Sequence, residues 1–182
     1  MNRTRCDPKN PKEVQERRNE MAEYKPSPEF REFAKKRLGI NDEQVDNLTD
    51  GQWNILRAGW LRHHYRMVAE VINVQDCCSE ENKIGQKYVF TVSGRFLPEE
   101  STATHFCLWA MAPMLKYMYV IYERLTEGLD PSPRGYDGLQ CTDLGIRCGG
   151  LGRVNFRVYC EPVPGFKEEK PPWAIELRAD QK

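Results

Sequence analysis

The chain has no excess of either charge. Its 182 residues carry 27 acidic and 27 basic side chains, so no overall field draws it to nucleic acid or to an anionic membrane. It lacks an apolar core near its start: MNRTRCDPKNPKEVQERRNE is charged throughout, which is not the pattern of a secretory leader. The most apolar run, Phe106 to Tyr122, is too short to span a bilayer comfortably, and Pro113 and Lys116 interrupt it. There is no Cys-x-x-Cys pair, no Gly-x-Gly-x-x-Gly turn and no internal repeat, and histidines number only 3. These absences remove the usual helix-capping redox pair and the usual phosphate cradle.

Cysteine is well represented. The 7 residues are Cys6, Cys77, Cys78, Cys107, Cys141, Cys148 and Cys160. An odd count without a leader points to a reducing, cytoplasmic setting, where a free thiol is often a small buried apolar group.

Four segments follow along the chain. Residues 1–26 hold prolines at 8, 11 and 26 with few large aliphatics, and read as a charged arm. Residues 27–62 read as a helical lead-in. Ser27 caps a helix that has Pro28 at its first position and Gly39 past its end. Asn41 caps a short turn, and Thr49-Asp-Gly-Gln52 is a capping box opening a third helix with Trp53, Leu56 and Trp60 on one stripe.

Residues 63–161 read as an α+β core. Strands are expected at 65–74, 87–92, 137–146 and 153–160. Between the second and third lies one long apolar helix, with N-cap choices from Ser101 to Thr104 and an end at Gly128. Pro113 inside it predicts a kink or two consecutive helices. The order β-β-α-β-β suggests an antiparallel sheet with the helix packed across it. Residues 162–182 form a proline-rich tail, in which Trp173 to Leu177 reads as an edge strand or a docking peptide.

The stretch CTDLGIRCGGLGR, residues 141–153, concentrates the chemistry. Gly149-Gly150 between strand-like runs predicts a two-residue hairpin. Strand alternation then places Cys141, Asp143 and Gly145 on one face and turns Cys148 to the other. Cys141 and Asp143 are candidate catalytic groups, with Arg153 as a candidate partner for a carboxylate. Cys78, Cys107, Cys141 and Cys148 are candidate metal ligands, with His63, His64 or His105 as nitrogen donors. Thiolates with imidazoles suit zinc or iron. The plainer role for each is burial of the thiols, a hairpin-stabilising hydrogen bond for Asp143 and a surface position for Arg153.

One set of motifs is Cys78, Lys83-Ile-Gly85, Cys107-x-x-Ala110 and Gly128-x-Asp130-Pro131. With Cys141-x-Asp143-x-Gly145 and Cys148-Gly-Gly-x-Gly-Arg153, it resembles an uncharacterised family of small cysteine-containing proteins from anaerobic bacteria and archaea. The resemblance spans roughly residues 65–160. It implies a common fold unit, a cytosolic setting and an anaerobic host, and it implies no reaction. Relatives often carry Cys-x3-His-Lys-x-Gly-Asp after the first strand, where this chain has Asn82 and Gln86 in place of the histidine and aspartate. That departure weighs against metal ligation and catalysis at this position.

Three functions are expected, in order. The first is an accessory subunit or binding module of a larger cytosolic enzyme complex in anaerobic metabolism, held through the N-terminal arm and the C-terminal tail. The second is a small enzyme using Cys141, Asp143 and Arg153 in a pocket between helix and sheet. The third is a thiolate metal-binding protein. No nucleic acid and no membrane span are expected, and a homo-oligomer is left open.

Overall fold

A computed structural model describes residues 25–103, 105, 107–132 and 138–178. The arm expected over residues 1–26 therefore lies almost wholly outside the described residues. Contacts divide the chain into two units, Met1–Trp53 and Asn54–Lys182.

The first unit is built from local signals. Helix α1, Pro28–Leu38, begins where Ser27 Oγ accepts from Phe30 N–H at 3.3 Å. It ends at Gly39, whose left-handed φ of 68° lets its N–H reach Lys35 O. Helix α2, Asp42–Asp46, opens with a reciprocal box between Asn41 and Gln44. Helix α3, Asp50–Arg57, opens with the same exchange between Thr49 and Gln52, at 2.8 and 3.3 Å. Phe30, Ala34, Val45 and Trp53 are buried, and the Phe30 and Trp53 rings meet at 5.1 Å.

The second unit is an α+β structure. After helix α4, Gly59–His64, the chain enters strand β1, Tyr65–Asp76, then β2, Lys87–Thr91. Helix α5, Leu108–Thr126, is followed by β3, Gly138–Gln140, and β4, Gly152–Pro162. The sheet order is β2-β1-β4-β3, and every pairing is antiparallel. Met67, Ala69 and Val71 on β1 face the same core as Phe156 and Val158 on β4. A register shift between Val71 and Asn73 leaves Ile72 as the extra residue and keeps both Val71 and Val74 against the core.

Helix α5 closes that core. Ala110, Met114, Met118, Ile121 and Leu125 recur at helical spacing and are buried with the sheet residues. Each large side chain buried this way contributes about 1.5–3 kcal/mol. The helix runs as one element through Pro113, so the alternative of two consecutive helices does not occur. Among the described residues no helix is long and apolar enough to cross a membrane.

Its start differs from expectation, because the helix begins after Cys107 and not at Ser101 to Thr104. The hydroxyls there are engaged by the sheet. Ser101 Oγ accepts from Val89 N–H at 2.9 Å, and Thr102 Oγ1 accepts from Lys87 N–H at 2.8 Å. They cap the open edge of β2 and are lost to the helix.

The tail is tied down within this unit. Trp60 Nε1 donates to Glu168 O, Arg57 Nε donates to Trp173 O at 3.2 Å, and Arg178 N–H donates to Gly128 O at 2.8 Å. Ala174 is buried. The segment over Trp173 to Leu177 is thus a docked strap, its backbone bonded to Arg57 at one end and followed by the Arg178 bond to Gly128. Gly128 makes the close approach possible. Its φ is 70°, and a Cβ there would lie 2.5 Å from Glu176 O. Gly128→Ala is expected to lower stability by more than about 1 kcal/mol through both strain and overlap. It should also loosen the strap. Urea unfolding with amide exchange at Arg178 checks this, and an unchanged midpoint would remove the constraint.

Candidate functional site

Three of the candidate thiols converge. Cys78 follows β1, Cys107 precedes α5, and Cys141 follows β3, yet all three line one cavity with Asn82, Asp143 and Trp109. The cavity has a volume of about 20 Å³, which holds about one water molecule. As formed, it has no room for an organic substrate.

Each thiol is held differently. Cys78 Sγ accepts from Asn82 Nδ2 at 3.4 Å, and Asn82 Oδ1 accepts in turn from the Tyr88 hydroxyl. Asn82 and Tyr88 are both buried, and burial pushes the Tyr88 phenol up to about 12. Cys107 occupies the N-cap position of α5. Burial pushes its thiol up, and the N–H groups of Ala110 and Trp109 pull the other way without cancelling that effect. Cys107 is therefore a poorly activated thiol, although its place at a helix start is where thiolates are usually favoured. Cys141 extends the β3 pairing. Its N–H donates to Val154 O at 2.9 Å, and its Sγ accepts from Val154 N–H at 3.2 Å.

Asp143 holds the loop. Its carboxylate accepts from Gly145 N–H at 2.7 Å and from Leu151 N–H at 3.2 Å. The Gly145 N–H contributes most to keeping the carboxyl below the ordinary carboxylate range. This bonding explains why the expected hairpin fails. Strand β3 ends at Gln140, and Asp143 gathers the backbone of residues 145 and 151 around itself. Gly145 has a φ of 75°, a 3₁₀ turn follows over Ile146–Cys148, and Gly149 has a φ of 88°. Gly149-Gly150 thus ends a 3₁₀ turn and does not form a two-residue strand connection. Cys141 and Asp143 do meet, but around a loop and not along one strand face.

The other candidates stand apart. Cys148 is exposed and lies outside the cavity. Arg153 is on β4 beside the inward-facing Val154, so it leaves the sheet on the other face, yet its Nε passes Gly145 closely and its charge helps to lower the Asp143 carboxyl. Of the trio Cys141, Asp143 and Arg153, the first two line the cavity and Arg153 does not. His63 Nδ1 lies 3.3 Å from Glu168, and His64 stacks on Trp60 at 5.2 Å. His105 Nε2 meets Glu80 O. Among the described residues no group of three or more His, Cys, Asp or Glu is placed to hold a metal ion.

Asn82 and Tyr88 are the site residues that sequence reasoning missed. Asn82 stood out only as the replacement for a histidine. Tyr88 sits at an inward position of β2, and an inward tyrosine needs a partner for its hydroxyl. That requirement was the available signal.

Comparison with protein-family models, with curated proteins and with solved structures returned no match.

The depressed Asp143 carboxyl has a consequence for stability. A lowered folded-state pKa stabilises the fold above the unfolded value, and that contribution disappears as pH falls through the folded value. Asp143→Asn is therefore expected to destabilise near neutral pH, with the gap to wild type closing below the ordinary value of 3.8. Urea midpoints measured from pH 7 down to about pH 3 check it. A gap that stays constant would mean that the charge on Asp143 is not what holds the loop.

Proposed function

We propose that the chain is a binding module, an accessory subunit that docks on a larger protein through the outer face of α5. The observation that carries this is the exposed side of that helix. Leu108, Leu115 and Tyr119 are 76%, 51% and 73% exposed, and with exposed Ala112 they recur at spacings of four, three and four. Trp109 and Val120 flank the stripe and are also exposed.

A four-three-four apolar seam is the pattern that packs against another helix. The seam runs over about 16 Å of helix. A groove of about 310 Å³ continues it, lined by Val92, Leu115, Met118 and Tyr119. Isolated exposed apolar residues are ordinary, but a continuous stripe of them marks an interaction surface. The occupant that fits is an amphipathic helix of the partner, with a carboxylate opposite Lys116, which lies beside the seam.

The thiol site supports a non-catalytic role. Its cavity admits about one water, burial disfavours the Cys107 thiolate, and Asp143 is committed to backbone bonds. The motif resemblance adds the setting of anaerobic metabolism. Docking through α5 adds a contact to those expected of the N-terminal arm, which lies almost wholly outside the described residues, and of the C-terminal tail.

The test is native mass spectrometry of the protein taken from its source without oxygen, together with a photo-crosslinker placed at Tyr119. The expected result is a stoichiometric complex above 21.3 kDa, crosslinked from position 119 to one helix of a second polypeptide. Leu115→Glu should weaken that complex by at least about tenfold. A bare monomer, a homodimer, or a complex untouched by Leu115→Glu would overturn the proposal.

A further inference from the structure

The opposite side of the sheet carries a second feature. A pocket of about 370 Å³ is lined by Gln75, Asp76, Arg147 and Arg153. It lies at the end of the β1–β4 pair, where Gln75 faces Arg153 and Asp76 faces Gly152. It is distinct from the thiol cavity, which Gly152 and Val154 line from the helix side.

The two arginines are poised for a ligand. Arg153 Nε is fully buried and has no hydrogen-bond partner. That Nε lies under the loop beside Gly145, where the Arg153 charge helps to lower the Asp143 carboxyl, and the pocket is lined by the rest of the side chain. The loop is shaped around this side chain: a Cβ on Gly145 would lie 3.0 Å from Arg153 Nε. Arg147 is exposed and forms another wall of the same pocket. Among the described lining residues Asp76 is the only carboxylate, and no hydrogen bond or ion pair joins it to either arginine. Its φ of 60° places it in the left-handed region, which few residues without a glycine backbone adopt.

We propose that this pocket binds a phosphate monoester, with the phosphate held between Arg147 and Arg153. Two guanidinium groups present two positive charges and several N–H donors. A phosphate monoester matches them with up to two negative charges and three terminal oxygens, whereas a carboxylate brings one charge and two oxygens. The volume exceeds that of a bare phosphate and falls in the range of small-molecule sites. Gln75 and Asp76 are left to meet hydroxyl groups on the organic part. In this arrangement CTDLGIRCGGLGR is neither a metal clip nor a simple turn. Asp143 folds the loop, Gly145 admits the Arg153 side chain, and the turn over Ile146–Cys148 brings Arg147 to it. The proposal does not depend on docking through α5.

Calorimetric titration of the full chain tests it, with phenyl phosphate as the probe and succinate as the carboxylate comparator. Phenyl phosphate is expected to bind, and both Arg147→Gln and Arg153→Gln are expected to weaken it at least about tenfold. Arg153→Lys, which keeps the charge but not the fork, should recover only part of the loss. Arg147 is exposed and outside the core, so Arg147→Gln should fold like wild type by circular dichroism. The proposal is overturned if the wild type does not bind phenyl phosphate, if Arg147→Gln binds it equally well, or if succinate binds as tightly.

Discussion

The antiparallel ladder between β1 and β4 is the constraint on which the second unit depends. It runs from Tyr65 opposite Pro162 to Asp76 opposite Gly152, and it lies at the centre of the sheet. Its inward residues form the floor on which α5 packs. Its far end fixes where the loop over residues 141–151 returns to the sheet. The approach there is close enough to require glycine: a Cβ at Gly152 would lie 2.3 Å from Cys77 O and 2.8 Å from Gln75 O. Backbone atoms cannot move aside as a flexible side chain does. The thiol cavity and the arginine pocket both border this point, on opposite sides of the sheet.

That arrangement separates residues which lie together in the sequence. Cys141 and Asp143 serve the inner side, as a strand extension and a loop clamp. Arg147 and Arg153 serve the outer side. The long helix divides its own surface in the same way. One stripe closes the core, and the other leaves Leu108, Leu115 and Tyr119 uncovered. The proposed docking stripe on α5 and the proposed anion pocket thus lie on opposite sides of the sheet.

What was legible in the sequence was mostly local. Ser27, Asn41 and Thr49 each cap a helix as read, because a cap is settled by residues three positions apart. The α+β class followed from the order of the expected elements. The misreadings arose where distant partners decide. Ser101 and Thr102 look like helix caps, but β2 takes both hydroxyls. Gly149-Gly150 looks like a hairpin, but Asp143 draws residues 145 and 151 together and turns the chain early. Three of the four candidate thiols share a cavity although they lie on separate segments, a convergence that no spacing rule displays. Arg153 fell away from Cys141 because one step along a strand reverses the side-chain direction.

The most direct test is the stability of Gly152→Ala, read together with amide exchange along β1 and β4. If the close approach at Gly152 organises both sides of the sheet, the methyl group will cost about 2–3 kcal/mol or more. Exchange should then rise at Val154 and at Leu151, where the thiol cavity and the Asp143 loop meet the strand. A variant with wild-type stability and unchanged protection at these amides would contradict the claim that the end of this ladder holds the two sites in place.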